Sequence, residues 1–438
     1  MSSAMNRREF ARLFALGGSA ALLAHPAVSE LAAAAPGPVR QGGWGPSLAA
    51  PLRPGGSAPD WEAIRARFLL PRELSVMNAA NLCPSPRHVL DTVHAGTERL
   101  DREPVPSFRD ESFAAKEWVR ERLAAYLRAT PEEILITRNT SESNNWVSAG
   151  LELGPGDEVV IFSDNHPSNN GAWKGRAERH GFTVREVAPP NPHPGPDGYV
   201  DAFRRALTPA TRVLAFTHFT NTAGDLLPAT ELCALARERG VLSVVDGAQS
   251  FGLLDVDLSR MRPDFYSGSA HKWPCGPKEV GVLYVNREVH DRFWPSVTSA
   301  YPGRVGLSRT HEGMGQRDEA AIRAFGEQLD FLMEIGRPEI EARSRALTDA
   351  VVEGLSALDG VQIWTPMDPA LRVAVVSFQP GDLEPRRVLS ALENDGVVAA
   401  MRGGSDRPGI RFSPHFYNSF EDVERGVAAI GRYLRTGL

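Results

Sequence analysis

The sequence is poor in cysteine: Cys83, Cys233 and Cys275 are scattered through 438 residues, with no C-x-x-C spacing. Such an odd, dispersed set supports neither a disulfide framework nor a zinc site. Cationic excess is lacking too, since 48 Lys and Arg face 54 Asp and Glu for a formal net charge of -6. Non-specific attraction to nucleic acid needs concentrated Lys and Arg to neutralise phosphates, so nucleic acid is not expected as a partner and a small molecule is. No G-x-G-x-x-G follows a strand-like run, which leaves a dinucleotide fold without positive support. Internal repeats and heptad runs are absent.

A composition of 42% hydrophobic and 23% charged residues is that of an ordinary globular chain, and the length exceeds what one core usually serves, so two domains are expected. Residues 1–35 read as an export signal. Met5-Asn6-Arg7-Arg8-Glu9-Phe10 carries an arginine pair, an apolar run over 13–23 follows, and Ala-rich sequence ends at Ala35-Pro36. Gly17, Gly18, His25 and Pro26 interrupt the run, so it falls short of the roughly 20 apolar residues of a permanent span. The segment resembles twin-arginine signals, which implies passage through the twin-arginine export machinery and a periplasmic or extracellular location. Residues 36–60, rich in Gly and Pro, read as a linker or N-terminal arm.

From Trp61 onward the pattern alternates. Helical spacing over 112–129 gives way to an apolar run at 134–136. Short β-branched runs then recur at 159–162, 183–187, 212–217 and 241–245, with helical stretches between them. Crossover connections of this kind imply an α/β fold, a mostly parallel sheet sandwiched by helices. A large domain is expected over 61–310 and a smaller C-terminal α/β domain over 311–438, where helices at 318–333 and 338–358 and a strand near 373–378 change the rhythm.

The chemistry concentrates in Asp264-Phe265-Tyr266-Ser267-Gly268-Ser269-Ala270-His271-Lys272-Trp273-Pro274-Cys275-Gly276-Pro277-Lys278. A lysine among small and hydroxyl residues before a Gly-Pro turn is suited to a tight, partly desolvated corner where its pKa falls, as a nucleophilic amine requires. Upstream, the run at 242–245 ends in Asp246-Gly247-Ala248-Gln249, which sets a carboxylate at the C-terminal end of a strand, where open α/β sheets bind ligands. Thr140 and Ser141, between a strand and a helix, offer hydroxyls and N–H groups to an anion. The alternatives are a surface lysine, a helix N-cap for Asp246 and an ordinary capping box around Thr140.

D-G-A-Q followed by S-G-S-A-H-K and G-P-K resembles the class V aminotransferase superfamily, to which isopenicillin N epimerases and cysteine desulfurases belong, and the resemblance runs from about Asn78 to the C-terminus. It implies the fold type I of pyridoxal-phosphate (PLP) enzymes, with Lys272 holding the cofactor as a Schiff base and Asp246 against its ring nitrogen. By the same resemblance His166 stacks on the ring, and Thr140, Ser141, Ser269 and His271 serve the phosphate. Asn221 and Gln249 approach the 3-hydroxyl, and Ala248 lies beside them. Arg411, in Ile410-Arg411-Phe412-Ser413, is implied as the clamp for a substrate carboxylate, with Arg402 a second candidate. Gly315 and Gln316 resemble a segment that in relatives crosses a homodimer interface to the phosphate, although Gln316 stands where Thr is common.

The expected reaction begins with removal of the Cα proton of an amino acid by Lys272. Epimerisation like that of isopenicillin N epimerases, or C–S bond lysis, is the leading expectation. Amino transfer and cysteine desulfuration are the alternatives, and a non-catalytic amino-acid-binding relative is the reading of another class. Residues 400–406 hold no cysteine where desulfurases carry their nucleophile, which disfavours a persulfide route.

Overall fold

A computed structural model of the chain describes residues 58–190, 192–402 and 407–438. The export signal and all but the end of the linker, read over 1–60, lie outside the described residues.

Seven strands form the central sheet: β1 (Ile134–Thr137), β2 (Glu158–Phe162), β3 (Thr183–Val187), β4 (Thr211–Thr217), β5 (Leu242–Asp246), β6 (Phe265–Ser269) and β7 (Gly281–Val285). Their order is β1-β7-β6-β5-β4-β2-β3. The five strands from β6 to β3 pair in parallel, whereas β7 runs against both its neighbours. The fold is thus the expected α/β architecture with a mostly parallel sheet. Alternate residues of each strand feed two separate cores. Val160, Phe162, Leu214, Phe216 and Val245 pack on one face, and Val159, Ile161, Val213, Ala215 and Val244 on the other. A sheet buried on both faces needs near-continuous apolar strands, which is why these runs stand out in the sequence.

β6 is the exception, for Phe-Tyr-Ser-Gly-Ser has no apolar run and was not expected as a strand. Its small residues follow from crowding, since a Cβ on Gly268 would come within 2.6 Å of the Phe251 ring. Close approach of this kind selects glycine inside a strand.

Helices cover the sheet, among them α1 (Arg87–Arg102), α2 (Ser107–Leu127), α3 (Thr140–Gly150), α4 (Pro167–His180), α5 (Gly195–Ala206) and α6 (Ala229–Glu238). α2 hands over to β1 as expected. Arg128 adopts a left-handed conformation at φ 54°, and the Thr130 N–H donates to Glu133 Oε2 at 3.0 Å, so the chain reverses within a few residues. The long helix α7 (Glu319–Ile335) packs on α1 and α2, and α8 (Arg337–Ser356) follows it directly.

A second sheet of four antiparallel strands has the order β10-β11-β9-β8, from β8 (Val361–Ile363), β9 (Val376–Pro380), β10 (Ala400–Arg402) and β11 (Gly409–Phe412). Its core joins Leu347, Val351, Val376, Phe378, Ile410 and Phe412 with Val423 and Ile430 of the last helix, α9 (Phe420–Thr436). Met77 belongs to this core as well, because Ser75 and Val76 pair in parallel with Val397 and Val398. An N-terminal stretch is thereby stitched to the C-terminal part of the chain, a connection invisible to local pattern.

Candidate active site

The site lies where β4, β5 and β6 end, at the edge where the loops leave a parallel sheet. β5 delivers Asp246, which is 2% exposed. Its Oδ2 accepts from Asn144 Nδ2 at 2.9 Å and from Asn169 Nδ2 at 3.3 Å, and its Oδ1 from the Ala248 N–H at 3.0 Å. Asn144 is oriented in turn by the Ser267 hydroxyl, 2.8 Å from its Oδ1. Burying a carboxyl group this deeply is costly unless donors such as these satisfy its oxygens.

Beyond β6 the chain makes a tight turn, in which the Gly276 N–H donates to Ala270 O at 2.7 Å and the Cys275 N–H to Lys272 O at 2.8 Å. Lys272 projects from this turn, partly buried. Desolvation lowers its amine pKa from 10.5 to about 8, the Asp246 carboxylate opposing the shift and Arg411 adding to it. His271 beside it is lowered to about 4, chiefly by desolvation and then by Lys272, so its imidazole is neutral at ordinary pH.

The first turn of α3 brings Thr140 to Ser269. The Thr140 N–H donates to Ser269 Oγ at 2.8 Å, and the two hydroxyls lie 2.7 Å apart. Ser141, on the exposed side, donates to Ser168 Oγ at 3.0 Å, and Ser168 Oγ lies 2.8 Å from His166 Nδ1. His166 is exposed at the start of α4, and desolvation followed by the Lys272 charge lowers its pKa, against Asp246. Gln249 is engaged at both ends of its amide: Nε2 donates to Ala80 O at 3.0 Å, and Oε1 accepts from Trp273 Nε1 at 2.8 Å.

Arg411, in the middle of β11, is 6% exposed. One Nη donates to the Asn221 carbonyl at 2.8 Å, the other to Asn78 Oδ1 at 3.0 Å, and Nε has no partner among the described residues. Burial, then the Arg402 charge, lowers its pKa to about 10. No carboxylate pairs with it among the described residues. Arg402 itself is partly buried at the end of β10.

Lys272, Asp246, Ala248, His166 and Arg411 with Asn221 therefore meet at one site through contact or electrostatic coupling, as do Thr140 and Ser269 in their hydroxyl cluster. Gly315 and Gln316 instead line a separate cleft of about 340 Å³ with Arg109, Lys116 and Tyr301. The sequence reading missed four asparagine and serine contacts: Asn144 and Asn169 on Asp246, Ser168 on His166, and Asn78 on Arg411. Asn144 and Asn169 each precede a second asparagine near a helix start, a pattern indistinguishable from capping.

The family description Aminotransferase class-V matches residues 84–425. Isopenicillin N epimerase of Streptomyces clavuligerus is 33% identical over 391 residues, covering 85% of this chain and 98% of that protein. Probable cysteine desulfurase 2 of Mycobacterium leprae is 31% identical, covering 86% of this chain and 97% of the relative. Among solved structures, apo cysteine desulfurase from Thermococcus onnurineus superposes with a TM-score of 0.77 at 24% identity, covering 86% of this chain and 98% of its own. A C-DES variant with glycine covalently linked to its PLP cofactor superposes at 0.78 with 22% identity, covering 84% and 98%. At those identities the two structures speak for the fold alone, but the match over residues 84–425 and the sequence relatives establish that this chain belongs to the class V aminotransferase family.

Proposed function

We propose that the chain is a PLP enzyme acting at the Cα of an amino-acid substrate, as an epimerase of the isopenicillin N epimerase kind or a C–S lyase. The observation that carries this reading is a buried Arg411 guanidinium, held by the Asn221 carbonyl and Asn78 Oδ1 and without a carboxylate partner among the described residues, beside the partly buried Lys272 amine whose pKa is depressed. A buried guanidinium held by neutral oxygens alone is stabilised by an incoming carboxylate, and its planar fork orients one.

The residues fit the cofactor. The α3 N-terminus with Thr140, Ser141 and Ser269 gathers hydroxyl and N–H donors where a helix dipole favours phosphate. Asp246, with its three donors, would be the carboxylate that keeps a proton on the ring nitrogen. With the cofactor bound, His166 would flank the ring and Asn221 would approach the 3-hydroxyl. The Gln249 amide, bound at both ends, steadies the Lys272 turn through Trp273. His271, neutral at ordinary pH, would present its imidazole to the phosphate. When bound, the cofactor withdraws electrons from Cα and makes its proton removable. Lys272, neutral above pH of about 8, takes and returns that proton. Arg411 holds the carboxylate so that one Cα bond faces the lysine, with Arg402 as second cation. A homodimer would bring Gly315 and Gln316 of one protomer toward the other's site.

Against a persulfide route stand the positions of the cysteines. Cys275 is fully buried and its thiol is pushed up by burial, Cys83 is 1% exposed, and residues 400–406 contain none. Thiolates are the reactive form, and burial suppresses them. Amino transfer remains the alternative reaction, and a non-catalytic binder the alternative class.

The test is the visible spectrum of PLP-reconstituted protein before and after an amino-acid panel, with chiral analysis of the amino acids and assay of elimination products. A band that shifts, with racemised or eliminated product, is the expected result. Absence of any band overturns the cofactor assignment, binding without turnover favours the amino-acid-binding relative, and keto-acid-dependent amino transfer alone overturns the epimerase or lyase branch.

We further propose export by the twin-arginine route, on the pattern of residues 5–36. Among the described residues no helix is long and apolar enough to cross a membrane. An Arg7→Lys, Arg8→Lys double variant is expected to accumulate inside the cell, as fractionation would show; unchanged export would exclude this route.

A further inference from the structure

We infer that Asn78 is a positioning residue that keeps Arg411 available to a substrate carboxylate, by holding the guanidinium through a neutral oxygen. The inference rests on the assignment of Arg411 made above. Two oxygens fix the fork, the Asn221 carbonyl at 2.8 Å and Asn78 Oδ1 at 3.0 Å, and neither carries charge. Arg411 is thereby oriented while its Nε stays without a partner and its charge uncompensated among the described residues. An aspartate at position 78 would differ by one atom and would present an anion to the same Nη. A desolvated guanidinium paired inside the protein has little left to offer a ligand, because the electrostatic gain that pulls a carboxylate out of water is already taken.

The amide cannot drift from this contact. Asn78 forms a parallel bridge with Ser413, two residues beyond Arg411. The Ala79 N–H donates to Ser413 O at 3.0 Å, the Ser413 N–H to Met77 O at 2.8 Å, and the Ala80 N–H to Ser413 Oγ at 3.2 Å. The Met77 N–H is held in turn by Val398 O at 2.9 Å. The same backbone ladder therefore carries both members of the pair, and the side chain at position 78 meets the guanidinium whatever its charge. This selects asparagine for a specificity reason: it supplies the hydrogen bond without the counter-ion.

The experiment uses the full PLP-reconstituted protein and propionate, a carboxylate with no amine to react, its dissociation constant measured by calorimetry. Asn78→Asp is expected to weaken propionate by about 30-fold or more, and Asn78→Ala by about 3- to 10-fold, on the scale of an ordinary net hydrogen bond. For an amino-acid substrate, KM should rise in parallel while kcat changes by less than about 3-fold, the signature of lost ground-state binding. Asn78→Ser, which keeps a neutral acceptor, should recover part of the affinity, and it decides the matter if the aspartate variant fails to fold. Propionate affinity unchanged in Asn78→Asp, or in Asn78→Ala and Asn78→Ser where the aspartate variant is not folded, overturns the inference. If Arg411→Lys also binds propionate as the wild type does, the Arg411 assignment itself falls; sensitivity at Arg411 with none at Asn78 removes only the present inference.

Discussion

Lys272→Ala is expected to lower kcat/KM by about four orders of magnitude or more, since a general base alone contributes roughly 10²–10⁴-fold and the covalent anchor of the cofactor is lost with it. The residue stands at the end of a two-step chain of causes. Hydrogen bonds from the Gly276 N–H to Ala270 O and from the Cys275 N–H to Lys272 O close a tight turn after β6, and desolvation of the amine there lowers its pKa from 10.5 to about 8. The sign follows directly. A lysine acts as base in its neutral form, so activity limited by this group should rise with pH through about 8 and level above it, rather than rise towards 10.5. The purified variant should lack the visible band attributed to the lysine linkage, and a small primary amine should restore part of the rate. Retention of more than about a tenth of the wild-type rate would remove Lys272 from the mechanism.

Asp246→Asn should be the second most damaging change, lowering kcat by about 10²–10³-fold, within the range seen when one preorganised electrostatic partner is removed. Its effect on stability has a separate origin. Asn144, Asn169 and the Ala248 N–H all point donors at this carboxylate. A carboxamide offers one oxygen where the carboxylate had two, so at least one buried donor is left without an acceptor, a loss of about 1–3 kcal/mol. Thermal unfolding should therefore fall together with activity. Adding Asn144→Asp to the variant tests the logic, because it returns an anion to the cluster and gives the new amide an acceptor; recovery of stability without recovery of kcat is the expected outcome. Wild-type kcat in the single variant would show that no anion is needed at that position.

How much of this could be read before folding differs from residue to residue. Lys272 and Asp246 announce themselves because their neighbours in the chain create their surroundings: a Gly-Pro turn after the lysine, and a strand of β-branched residues before the aspartate. The strands β2, β4 and β5 were equally legible, since burial on both faces demands the unbroken apolar runs that mark them. β6 was not, because its small residues answer to the Phe251 ring and other packing neighbours rather than to any periodicity of its own.

By itself the sequence determined the chemical types, a lysine in a turn, a carboxylate at a strand end, hydroxyls at a helix start, and the crossover rhythm that makes a mostly parallel sheet. Each of these is set by residues within a few positions of one another. Tertiary structure alone decided who holds whom: Asn144 reaches Asp246 across 102 residues, Asn169 across 77, and Asn78 reaches Arg411 across 333. Asparagine amides carry no periodicity and serve equally well as helix caps, so only the pairing of distant segments turns them into partners of a buried charge. The electrostatic partners of Lys272 are set in the same way, because Asp246, which opposes the fall in its pKa, and Arg411, which adds to it, come from distant segments of the chain.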